Sequence, residues 1–349
     1  LSAAMVMTMG GMTAFAAGPV DVKFDKVLKI GANDSIPDVS FEFGITKGNA
    51  QNATETTREI KEGIFTEKDG KIYPYIAPVT FAVSDTKDKD EKTQQTLNQV
   101  THDVTVDFSE VEFTAPGVYR YVITEVDKAT ANDGLDIYDD IALETGSTGT
   151  RYLDVLVSKQ GNDFVVSKFQ LLKSESALGL TGYGETVKSE GFVNVYTTNT
   201  LTLTKHVTGD MGDTGVFFPF AIELEGPANA TFKMTIGDNA MVGATTETTV
   251  DVTLNAEGKA TFDNANRNEV SLKDNGTITI AGIPSYVKYT ITEVDQASAG
   301  YATKNEINGN TTEWSQVTVD KKDHDYTTEE QVVGNTKKDN MVKVDFVNY

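Results

Sequence analysis

The chain contains no cysteine in 349 residues. Disulfides, thiolate catalysis, zinc–thiolate sites and cysteine-based thioester chemistry are therefore excluded. Histidine is almost as scarce. His102, His206 and His324 are the only three, with no G-x-S-x-G or H-E-x-x-H context beside them, so hydrolase chemistry finds no support. Basic residues are in deficit, 30 against 52 acidic, for a net charge of −22. Such a field repels phosphate backbones and anionic membrane surfaces, which argues against nucleic acid or lipid as a partner. Beyond the N-terminus there is also no long apolar run of helical period. What remains are short alternating runs broken by turn residues, the pattern of all-β sandwiches. With 39% hydrophobic and 9% aromatic residues, the chain can build real cores, and its length suffices for two domains.

The first residues read differently. "LSAAMVMTMGGMTAFAAG" is uncharged, apolar and small, and Ala14-Phe15-Ala16 forms an A-x-A cleavage pattern. This predicts a signal-peptide remnant over residues 1–16 and a mature, secreted protein that starts near Ala17. A core or membrane helix is the alternative, weakened by Gly10 and Gly11. A secreted β protein without disulfides must obtain its robustness by another route.

After the leader, three phrases recur in one order. A strand carrying a lysine opens each half, "VDVKFDKVLKI" and then "LTLTKHV". An "ITEVD" strand follows, first in "YRYVITEVD" (119–127) and again in "KYTITEVDQ" (288–296). Each half closes on "FVN" before a tyrosine, at 192–196 and 346–349. The polar stretch Thr197–Thr200 separates the halves, giving expected domains at 17–198 and 199–349.

Side chains on a strand alternate between faces, and this parity singles out six polar residues. Lys26 falls in phase with Val20, Val22, Phe24, Leu28 and Ile30, while Asp21, Lys23, Asp25 and Lys29 take the other face. Lys205 shares its face with Leu201, Leu203 and Val207. Glu125 is in phase with Tyr119, Tyr121 and Ile123, and Glu293 with Val287, Tyr289 and Ile291. Asn194 lies with Phe192 and Tyr196, and Asn348 with Val342, Val344 and Phe346. Each half therefore aims one Lys, one Glu and one Asn at its own core.

Those three groups have a chemistry. A desolvated lysine loses its proton more readily and becomes nucleophilic. A buried carboxyl stays protonated, can hydrogen-bond the Asn carbonyl oxygen and can pass a proton to departing ammonia. The product would be a Lys–Asn isopeptide bond, with folding supplying the proximity. A buried Lys–Glu ion pair beside a hydrogen-bonded Asn is the simpler alternative. The repetition of the whole triplet favours chemistry.

"VDFSEVEFTAPGVYRYVITEV", "LTLTKHVTGDMGD" and the closing F-x-N strands resemble the major (backbone) pilins of Gram-positive bacteria, in particular the streptococcal pilin isopeptide-linkage family. The resemblance spans essentially the whole mature chain. It implies two tandem immunoglobulin-like (CnaB-type) β-sandwiches without cofactor. Lys26 and Lys205 would be the nucleophiles, Glu125 and Glu293 the catalytic acids, and Asn194 and Asn348 the acceptors. It also implies a surface pilus in the cell wall, built by a sortase transpeptidase from copies of the chain joined head to tail. In "GETVKSEGFVNVY" the intersubunit lysine would be Lys188, expected outside the core, with Lys168 and Lys173 as alternatives. A cell-surface adhesin or ancillary pilin, presenting a face to a host ligand on a cross-linked stalk, is the alternative function.

The stretch 132–157 is longer than the family's usual connection. Its acids Asp136, Asp139, Asp140 and Glu144 lack the Asp-x-Asp-x-Asp-Gly spacing of a calcium loop and are expected to be solvated, like the charged segment 84–95.

Overall fold

A computed structural model of the chain describes residues 20–127, 137–284, 287–294, 301, 303–307, 310–311, 331–335 and 341–349. The leader, Asp136 and His324 lie outside these residues. The fold is all-β. Helical structure among the described residues amounts to two short 3-10 turns, Ile137–Asp140 and Glu185–Val187.

Residues 20–196 form two facing sheets. In one, the opening strand Val22–Lys29 lies between Gln99–Asp107, antiparallel to it, and the closing strand Gly191–Tyr196, parallel to it. Ile141–Leu143 flanks the closing strand on its far side. The other sheet runs Asp163–Leu172, Thr150–Gln160, Gly117–Glu125 and Phe43–Lys47. Residues 199–348 repeat the plan. The strand Asn199–Val207 sits between Thr277–Ile283 and the parallel closing strand Met341–Asn348, which is flanked by Thr303–Ile307. Phe218–Glu225 and Lys288–Glu293 face it from the second sheet. No described strand pairs across residue 198.

Hydrophobic alternation explains why these segments become strands with one dry face. Phe24, Phe43 and Phe192 meet in the first core, with Phe192 centroids 5.6 Å and 5.2 Å from the other two rings. Phe220 and Phe346 pack at 5.2 Å, near perpendicular, in the second. The two halves touch through Ser35, whose hydroxyl accepts from the Thr231 amide at 2.9 Å and donates to its carbonyl. The neighbouring Ile36 is buried.

Two acids depart from the expected pattern. Asp140 is buried, not solvated, because Ile137–Asp140 caps the edge of the first sheet and its carbonyl receives the Thr197 amide. Asp25 is only 7% exposed although its parity turns it away from the core. The entry to the closing strand covers it. Glu190 accepts the Asp25 amide at 2.9 Å, and Gly191 approaches so closely that a Cβ there would sit 1.8 Å from the Asp25 carbonyl oxygen. Asp25 Oδ1 has no hydrogen-bond partner. Burial, then Glu190 and Asp103, push its carboxyl up to about 6.

A raised acid favours the folded state when protonated, so this group costs stability increasingly as pH climbs from its unfolded value through about 6. Asp25→Asn is expected to stabilise the protein by about 1–2 kcal/mol at pH 7.5. The gain should vanish near pH 3.5. Urea unfolding at the two pH values measures it.

Candidate functional site

The parallel pairing of opening and closing strands sets the geometry twice. In the first half Lys26 lies opposite Phe192 and Leu28 opposite Asn194. In the second, Lys205 lies opposite Phe346 and Val207 opposite Asn348. The register is the same: each lysine faces the phenylalanine of F-x-N, and the asparagine stands two residues further on, on the same face. The Glu of the "ITEVD" strand reaches across from the opposing sheet.

In the first site Lys26 Nζ donates to Glu125 Oε2 at 2.7 Å, and Asn194 Nδ2 donates to Glu125 Oε1 at 2.8 Å. Lys26 Nζ also donates to Asn194 Oδ1. In the second, Lys205 Nζ lies 3.1 Å and 3.0 Å from the two Glu293 oxygens, and Asn348 Nδ2 donates to Glu293 Oε1 at 2.7 Å. Both lysines and Asn348 are fully buried. Glu293 is 1% exposed against 9% for Glu125, which borders an open cleft of about 370 Å³ with Asn194 and Leu143. Neighbouring Lys23 and Lys29 are instead partly exposed and pair with Asp103 and Glu144.

One expectation needs correction. The carboxylates contact the amide nitrogen of each asparagine, not its carbonyl oxygen. They are placed to protonate a leaving nitrogen rather than to polarise the carbonyl, because the Asn side chain approaches the opposing sheet with its nitrogen foremost. Among the described residues, only the second asparagine has a donor other than the lysine on its oxygen. Thr303 Oγ1 donates to Asn348 Oδ1 at 2.8 Å.

Electrostatics follow from burial. Desolvation lowers Lys26 to about 8 against the opposing pull of Glu125, with the Arg151 guanidinium adding to the lowering. Lys205 falls to about 8 for the same first reason, opposed by Glu293. Burial raises the Glu293 carboxyl, opposed by Lys205 and by the Asn348 hydrogen bond. Each ammonium also lies over an aromatic ring, Lys26 at 3.9 Å from the Phe41 centroid and Lys205 at 4.6 Å from Phe218, a contact that offsets part of the lost hydration.

Nothing in the strand pattern points to Arg151, which is 6% exposed and stacks over Phe192 at 4.9 Å. It donates to Ser189 Oγ and the carbonyls of Gly191 and Thr148, tying the entry of the closing strand to the loop before Thr150. Between these segments opens a cleft of about 620 Å³ lined by Arg151, Lys173, Glu185, Lys188 and Glu190. Lys188 is not free in solvent as expected. Its side chain is 10% exposed and Nζ pairs with the exposed Glu185 at 2.6 Å. Lys173 is exposed and Lys168 half-buried.

Known proteins resemble this chain in sequence and in fold. A pilin of Streptococcus pyogenes serotype M1 is 28% identical over 274 residues, 74% of this chain and 70% of that protein. Over most of its length the chain is similar to this streptococcal pilin. The crystal structure of the major pilin from S. pyogenes superposes with a TM-score of 0.60 at 21% identity, covering 95% of this chain and 98% of that one. The T3.2 major pilin of the same species gives 0.59 at 18% identity over 94% and 97%. These likenesses show the fold, tandem β-sandwiches. Residues 199–349 also match a family described as a domain of unknown function (DUF7601).

A neutral amine and a protonated carboxyl hold as many protons as an ammonium and a carboxylate, so the reactive form of each pair is a tautomer of the ion pair. Any Lys–Asn condensation at the second site should therefore have a bell-shaped pH–rate profile. It should fall above about pH 8 as the pair loses its shared proton, and in acid once both groups are protonated. Refolding of denatured, unreacted chain at set pH, quenched and read by intact mass, gives the profile.

Proposed function

We propose that this chain is a pilin, the structural backbone subunit of a covalently linked surface pilus. Its two sandwiches, divided at residues 198 and 199, each close with a self-generated isopeptide bond, Lys26–Asn194 and Lys205–Asn348. The observation that carries this reading is the repeated register: lysine opposite the phenylalanine of F-x-N, a buried carboxylate bridging lysine and asparagine, and an apolar surround, in both halves. In each site the neutral amine attacks Asn Cγ, and the carbon–nitrogen bond forms as the carbonyl π electrons move to Oδ1. The carboxyl gives its proton to Nδ2, ammonia leaves, and the carboxylate recovers the proton shed by the lysine nitrogen.

Lys26 and Asn194 are separated by 168 positions. Closing a loop of that size stabilises the folded state by about 4–5 kcal/mol on the chain-entropy argument used for disulfides. We further propose that a sortase joins subunits at Lys188, whose cleft, at the entry to the first closing strand, can receive the C-terminal segment of the next copy.

The mature protein is expected to lose two molecules of ammonia by intact mass. Glu125→Ala and Glu293→Ala should each abolish the loss in their own half only, and full mass in correctly folded wild type would overturn the cross-link. In the native host, Lys188→Ala should eliminate the high-mass pilus ladder while Lys168→Ala and Lys173→Ala keep it. A full ladder in the Lys188 variant would exclude that lysine.

A further inference from the structure

The two sites share their Lys, Glu and Asn but differ on the far side of the asparagine. Each closing strand has an antiparallel neighbour on the edge away from the opening strand, and in each case one residue stands directly across from the asparagine. In the second half it is Thr303, opposite Asn348. In the first it is Leu143, opposite Asn194. Directly opposed residues on antiparallel strands point to the same face, so both flank the amide. Thr303 is 9% exposed, and its hydroxyl donates to Asn348 Oδ1 at 2.8 Å. Leucine can donate nothing.

Oδ1 is the atom that acquires negative charge when an amine adds to Cγ. A donor fixed 2.7–3.1 Å from that atom, inside a dry site, stabilises the tetrahedral intermediate more than the ground-state amide. The carboxylate cannot serve this purpose, since Glu293 is engaged with Lys205 and with the amide nitrogen. We infer that Thr303 is a third catalytic residue of the second site, the hydrogen-bond donor to the oxyanion formed on Asn348, and that the first site has no side-chain counterpart among the described residues. This rests on the cross-linking reading above. In the balanced step Lys205 Nζ bonds to Asn348 Cγ, the π pair settles on Oδ1 under the Thr303 O–H, and the pair returns as Nδ2 leaves as ammonia with the proton from Glu293, whose carboxylate takes up the proton shed by Nζ. Thr303 itself is unchanged.

The test follows refolding of full-length denatured, unreacted chain. Ammonia loss is read separately in peptides spanning Lys26–Asn194 and Lys205–Asn348, so the first site is an internal standard for folding in every variant. Thr303→Val, which keeps the shape and removes the donor, should slow the second bond by about 10²-fold and leave the first unchanged. Thr303→Ser, which keeps the hydroxyl and loses the methyl, should stay within about threefold of wild type; a role in packing alone predicts the reverse order of these variants. Leu143→Thr should accelerate the first bond. A Thr303→Val rate within about twofold of wild type, with both bonds forming, overturns the role of Thr303 and leaves cross-linking intact. Wild type that forms neither bond overturns cross-linking itself.

Discussion

The parallel pairing of the first and last strands of each half is the constraint on which the rest of the structure depends. Parallel neighbours in a sheet keep their side-chain faces in phase over their whole contact. Once Lys26 is set opposite Phe192, Asn194 must fall two residues further along on the core side. The same holds for Lys205, Phe346 and Asn348. Everything between these strands, including the facing sheet that delivers the glutamate, is a long excursion that returns the chain to its own beginning. Gly191 belongs to this constraint, because only a residue without Cβ can pass so close to the Asp25 carbonyl at the point where the pairing starts.

The second element is electrostatic. An ammonium and a carboxylate taken out of water cost several kcal/mol each, and their mutual attraction does not reliably repay it. The aromatic ring beneath each lysine and the Asn amide against each glutamate recover part of that cost. Condensation to an amide would remove it altogether, since the ammonium ceases to exist and the carboxyl can remain neutral. The sites thus hold two charges in a place that favours a product carrying none.

Much of this was legible in the sequence because strand parity is a strict rule. The alternation around Lys26 sufficed to choose it over Lys23 and Lys29, and these are the partly exposed neighbours in the structure. The repeated "ITEVD" and "FVN" phrases indicated which residues meet. What parity does not report is how strands far apart in sequence lie side by side. Thr303 and Leu143 become comparable only through their register with the closing strands, and Arg151 only through the loops it ties together. The orientation of the Asn amide is a three-dimensional fact with no sequence trace. Burial of Asp25 and Asp140 escaped notice for a related reason: the covering segments are irregular, and irregular chain has no period to read.

The parallel arrangement also decides how each half meets tension. The opening strand begins at one end of its sandwich and the closing strand finishes at the other, so a pull on the two ends runs lengthwise along adjacent strands. The hydrogen bonds between them are then loaded together in shear rather than opened one at a time. With the Lys–Asn bonds that we propose in place, load crosses from the first strand to the last through one covalent link in each half. The strands in between, which make up most of each sandwich, are left out of the load path. A fibre built on this plan would stretch little before a covalent bond had to break.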